Sequence, residues 1–133
     1  MPCRTRRQPH LHHARAHLRL ADALAADRQR ELAVTSLEEA VRLDAGLWEA
    51  RYFLGVEYAL QGKIEAARGQ FAEVVRLKPD HALAQFNLGI ALARQQRWEP
   101  AAEALAEAVR LDPKNEEARK ALAQVAAIRQ RGP

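Results

Sequence analysis

The chain has 133 residues, 48% of them hydrophobic and 29% charged, with only six glycines, six prolines and 5% aromatics. Those proportions suit one folded domain and exclude a disordered or low-complexity chain. The formal charge of +4 sits almost wholly at one end: residues 1–30 hold seven arginines against Asp22 and Asp27, a net +5, while the rest holds 14 basic against 15 acidic groups.

Residues 1–13 read as a flexible basic arm. Cys3 is the only cysteine, so an intramolecular disulfide is excluded and a reducing compartment is allowed. "TRRQPHLHH" (5–13) has the paired arginines of an export signal. Arg15, Arg19 and Asp22 break the apolar run such a signal needs, so the expected location is cytoplasmic. No apolar run approaches the roughly 18 residues that cross a bilayer, and no membrane partner is expected. His13 and His17 have the i, i+4 spacing of a metal clip, with His10 and His12 close by. No neighbouring Cys, Asp or Glu completes a ligand set, so no metal and no cofactor are expected. Arg4, Arg6, Arg7, Arg15 and Arg19 could attract nucleic acid, but no aromatic side chains alternate with them for base stacking. A nucleic-acid-associated protein is therefore a lower alternative.

From residue 14 onward the chain repeats itself. Superimposing it on itself at a 34-residue offset gives three gapless lines, 14–47, 48–81 and 82–115. Leu20, Leu54 and Leu88 align, followed by Ala21, Gly55 and Gly89, and then Leu24, Tyr58 and Leu92. Later columns hold Ala33, Ala67 and Ala101; Leu37, Phe71 and Leu105; and Ala40, Val74 and Ala108. Each line closes on a related phrase: "RLDAG" (42–46), "RLKPD" (76–80) and "RLDPK" (110–114). Within a line the apolar residues keep helical spacing in two runs, with Gly62 suited to end the first of them. Each line is therefore expected to be two antiparallel helices, with Gly55 and Ala67 letting the paired backbones approach closely. Residues 116–131 continue into a fourth line that stops after one helix. Its outer face is polar, as the end of a stacked array requires, and Asn115 is placed to cap it.

These columns resemble the tetratricopeptide repeat (TPR) family. The resemblance covers 14–115 and implies an all-α, right-handed superhelical solenoid of antiparallel helix pairs: three repeats and a capping helix over 116–131, together the domain 14–131. The chain departs from the family pattern at Ala45 and Ala21 in the first repeat, and at His17, Arg51 and Gln85 in a column that is usually bulky and aromatic.

Chemistry is sparse along the chain. Ser36 is the only serine, no glycine-rich phosphate loop is present, and the Glu38–Glu39 and Glu116–Glu117 pairs read as solvated helix faces. An enzyme is not expected, and no residue is assigned as catalytic. The resemblance instead implies a concave groove lined by the first helix of each repeat, where partner proteins lie as extended peptides or helices. Its implied lining is Arg19, Tyr52, Phe53, Val56, Leu60, Leu83, Phe86, Asn87, Ile90 and Arg94, an apolar centre with polar ends. The lysines, asparagines and arginine by which co-chaperone members hold acidic C-termini are replaced by Leu18, Asp22, Phe53, Leu83 and Asn87. The expected function is a non-catalytic protein–protein interaction scaffold for an unidentified protein or peptide partner, with Tyr52→Ala and Phe86→Ala as the probe of binding. Self-assembly into a homo-oligomer, through the groove or a terminal repeat, is the alternative.

Overall fold

A computed structural model describes residues 9–26 and 29–131; residues 1–8, 27, 28, 132 and 133 lie outside the described residues, as do the side chains at 9–12 and 22–26. Cys3, the arginine run Arg4, Arg6 and Arg7, and the side chain of Asp22 are among those outside. Seven helices follow one another in the described residues, with no strand: α1 (Pro9–Ala26), α2 (Arg30–Leu43), α3 (Trp48–Leu60), α4 (Ile64–Leu77), α5 (Ala82–Arg94), α6 (Trp98–Leu111) and α7 (Glu116–Arg131). The period is visible in these bounds. α3, α5 and α7 begin 34 residues apart, as do α2, α4 and α6. α1 starts at Pro9, so its first turn lies within the stretch read from sequence as the arm.

Short connections leave consecutive helices antiparallel. α1 packs on α2, α3 on α4 and α5 on α6, and the second helix of each pair leans on the first helix of the next. The reason lies in the small-residue columns. A Cβ added to Gly55 would stand 2.8 Å from the Phe71 ring, and one added to Gly89 would stand 2.6 Å from Leu105 Cγ. A larger residue at either glycine would force the facing side chain, or the helix behind it, to shift. Ala33, Ala67 and Ala101 are fully buried on the facing helices. The core therefore runs along the array as successive clusters. One joins Ala33, Leu37 and Ala40 to Leu54 of the next repeat, and another joins Ala101, Ala102 and Leu105 to Val125, with Leu122 packed against it.

The turn inside each pair is set by one backbone conformation. Gly62 has φ +79°, and the Lys63 N–H returns to Tyr58 O while the Gly62 N–H returns to Ala59 O, closing the end of α3. The same two bonds close α5, from Arg97 to Leu92 and from Gln96 to Ala93, but here the left-handed position belongs to Gln96, with φ 61°. A side chain at that conformation costs about 1 kcal/mol. Gln96→Gly is therefore expected to raise stability by about 1 kcal/mol, or a melting temperature by about 4 °C, with Gly62→Gln lowering it comparably. Thermal unfolding followed by circular dichroism checks both.

The closing phrase of each repeat ends a helix. The Asp44 and Asp112 backbone N–H groups donate to Ala40 O and Ala108 O, each at 2.9 Å. Their carboxylates then accept from the N–H groups of Gly46 and Lys114, at 3.1 and 3.2 Å. "RLDPK" is thus a stop and a turn, and its aspartate serves the backbone. The Asn115 side chain accepts from the Ala118 N–H at 3.0 Å and caps α7. Pro100 falls in the first turn of α6, where no backbone N–H partner is lost.

The column that departs from the family pattern has a regular role of its own. Arg51 Nε donates to Ala45 O at 2.8 Å, Gln85 Nε2 to Pro79 O at 3.3 Å and Arg119 to Pro113 O at 3.4 Å. In each case a polar side chain in the first helix of one line holds the turn that ends the line before. His17 occupies this column in the first repeat, and its Nδ1 is buried with no partner among the described residues.

Candidate functional site

α3 and α5 are first helices of neighbouring repeats, and the residues expected to line the groove fall on them, except Arg19, which lies on α1. The structure separates these residues into three groups. Phe53, Leu60 and Leu83 are open, with 41, 59 and 50% of their surface exposed. Val56, Phe86 and Ile90 are half-buried, and Phe86 and Ile90 pack against the C-terminal core cluster. Tyr52 is held on several sides: its ring lies 5.0 Å from His81, 5.6 Å from Phe53 and 5.9 Å from Phe71. Burial pushes its phenol above the usual tyrosine range, opposed by the Asn87 hydrogen bond. His81 is fixed in turn, its Nδ1 accepting from the Ala84 N–H at 3.0 Å to cap α5. Tyr52 is thus a strut between α3, α4 and α5 with one edge near the surface, and the Tyr52 and Phe86 pair is a poor probe of binding alone.

Polar groups mark the same surface. Asn87 Nδ2 donates to the Tyr52 hydroxyl at 3.2 Å, which leaves Asn87 Oδ1 with no partner among the described residues. Arg19 and Arg94 are exposed. Arg94 makes no ion pair among the described residues, whereas the second helix of each pair carries its own ion pair. Glu39 pairs with Arg42, Glu73 with Arg76 and Glu107 with Arg110, three bridges 34 residues apart. The arginine in each holds its glutamate below the usual carboxylate range. Hydrogen bonds from Arg68 and Gln95 take Glu65 down to about 2.

Between α3, α4 and α5 the surface sinks into a cleft of about 220 Å³. Four of the expected groove residues meet there: Leu60, Asn87, Ile90 and Arg94. Ala59 and Ala91 keep the walls low, and Ile64 and Phe71 of α4 complete the lining. The α4 contribution was missed from sequence because a groove drawn along first helices omits the second helix behind them. The signal for Ile64 was its place: an apolar residue opens α4 where the charged Arg30 opens α2. Arg19, Tyr52, Phe53, Val56, Leu83 and Phe86 do not line this cleft.

Two further apolar side chains are open at the other end of the array. Leu20 is 50% exposed, although its equivalents in the later repeats are packed, and Leu32 is 55% exposed. Among the described residues no group of three or more His, Cys, Asp or Glu side chains could hold a metal, and no described helix is long and apolar enough to cross a membrane.

Comparison with known proteins bears on this arrangement. A family profile described as "Tetratricopeptide repeat" matches residues 18–68 and 52–116. No curated protein matches the chain. Among solved structures, the TPR domain of Arabidopsis OM64 superimposes with a TM-score of 0.81, at 17% identity over 87% of this chain and 96% of its own. The first TPR of Spaghetti (RPAP3), bound to the HSP90 peptide SRMEEVD, superimposes at 0.83 with 17% identity, over 89% of this chain and 94% of its own. YrrB, described as a TPR protein with an unusual peptide-binding site, is 32% identical over 81% of this chain, with a TM-score of 0.73; the match spans 56% of the YrrB chain.

Proposed function

Because the chain belongs to the tetratricopeptide repeat family, we propose that it is a non-catalytic scaffold, set in the cytoplasm, that holds a segment of a partner protein along α3 and α5. The observation that carries this reading is the exposure of Phe53, Leu60 and Leu83 on those two neighbouring helices. Each leaves about two-fifths or more of its surface to solvent, and apolar surface of that kind on two neighbouring helices is available to a docking partner. A bound peptide would cover them, with apolar anchors supplying most of the affinity. YrrB is described as having an unusual peptide-binding site, which supports peptide binding as the kind of function. The co-chaperone mode is not supported: Leu18, Phe53 and Leu83 stand where that mode needs polar or charged side chains.

The clean test uses side chains that are open in the folded state. Leu60→Asp with Leu83→Asp should weaken capture of a partner peptide by about tenfold or more, since each replaces an apolar anchor with a charge. Helicity and melting temperature should stay close to those of the wild type. Unchanged peptide affinity in a folded double variant would remove the groove reading.

A further inference from the structure

The cleft between α3, α4 and α5 has a chemistry more specific than the groove around it. At about 220 Å³ it is smaller than the roughly 300–1,000 Å³ of pockets that enclose a small-molecule ligand. It is suited to one side chain of a larger molecule. Leu60, Ile64, Phe71 and Ile90 make its lining apolar. Asn87, Ile90 and Arg94 follow at i, i+3 and i+7, one face of α5, so the amide, the apolar wall and the cation form a single stripe.

Arg94 brings a positive charge to the cleft. Arg94 lines the cleft without an ion pair among the described residues, and Lys63 and Arg97 occupy equivalent exposed positions in the turns after α3 and α5. Glu65, an acid of the same region, is already engaged by Arg68 at 2.5 Å and by Gln95 at 2.5 Å. The Asn87 amide donates to the Tyr52 hydroxyl, and its carbonyl oxygen has no partner among the described residues and could accept from a peptide N–H.

We propose that this cleft takes one aliphatic or aromatic side chain of the partner, and that Arg94 pairs with an aspartate or glutamate beside that side chain. The inference rests on the groove reading and adds the sequence chemistry of the occupant: an apolar anchor next to an acid. Charge complementarity selects the acid, because a basic neighbour would face Arg94, which lines the cleft with no carboxylate paired to it among the described residues.

A random peptide library displayed on phage, selected at low salt on the immobilised full-length chain, tests it. The enriched peptides are expected to carry Asp or Glu next to Leu, Ile or Phe. Synthesised with a fluorophore, they should bind about tenfold more weakly to Arg94→Gln, and the difference should shrink at high salt. Replacing the acid in the peptide should have the same effect and should not add to Arg94→Gln. Peptides that lose affinity for Leu60→Asp yet lack an acid and ignore Arg94→Gln would overturn the inference and leave the groove reading standing. Peptides indifferent to Leu60→Asp, or no enrichment at all, would overturn both. Leu60 and Arg94 are exposed, so neither change touches the core.

Discussion

Phe71→Ala is expected to cost about 3–5 kcal/mol of stability, a large share of the roughly 5–15 kcal/mol that holds a domain folded. Phe71 is among the largest fully buried side chains, with 2% of its surface exposed. Its ring fills the space that Gly55 leaves open, stands behind Tyr52 and reaches the lining of the cleft. Truncation would leave a void that the neighbouring helices cannot close without breaking the pair geometry. The other repeats indicate the remedy. Their equivalent positions carry Leu37 beside Ala21 and Leu105 beside Gly89. Phe71→Leu should therefore cost only about 1 kcal/mol, and Gly55→Ala should be better tolerated on Phe71→Leu than on the wild type, since the first repeat pairs Ala21 with Leu37. Chemical denaturation of the four variants measures that coupling. Strictly additive effects would show that ring and glycine are not matched.

Arg30→Ala carries the second large expectation. Glu57 on α3 is a buried acidic residue; Arg30 at the start of α2 reaches it with Nη1 at 3.0 and 3.2 Å from the two carboxylate oxygens. Removing the arginine would strand the carboxylate. The cost should be about 2 kcal/mol, below the 3–5 of a fully enclosed pair, because the exposed side of Arg30 lets water reach the gap. Removing both partners should be far milder. Ala23 and Ala91 occupy the Glu57 column in the other repeats, so the fold accommodates alanine there. Arg30→Ala with Glu57→Ala is expected to recover most of the loss in urea unfolding. A double variant as unstable as Arg30→Ala would show that the arginine acts by packing alone.

Much of the fold was legible in the sequence because the constraint recurs. Gly55 and Gly89 each announced a close approach, and the structure supplies the ring and the leucine that make it necessary. Gly62 announced a turn, although its counterpart Gln96 carried no such signal: the backbone there is forced by the same pair geometry whatever residue is present. Arg51 and Gln85 looked like departures from a pattern, since a bond from a side chain to a carbonyl six residues earlier leaves no trace in hydrophobic periodicity. The candidate site was legible only in outline. Helical spacing placed Tyr52 and Phe53 side by side, but not which of them would be held against α4 and His81 and which would stand open. The cleft needed three helices to be seen at once, and Ile64 and Phe71 enter it from the one the groove pattern ignores.

The leucine at the seventh place of each line has a consequence for how this protein can vary. Leu54 enters the core of the repeat before it, and Leu122 does the same for the last pair, so the junction before the terminal helix resembles the junctions inside. Such an interface is a standard coupling, and a copy of residues 82–115 inserted ahead of Glu116 would meet native-like surfaces on both sides. The length of the proposed binding surface is in that sense quantised: it can grow or shrink by whole helix pairs without redesign of either end. The identity of the anchors along it can drift one side chain at a time.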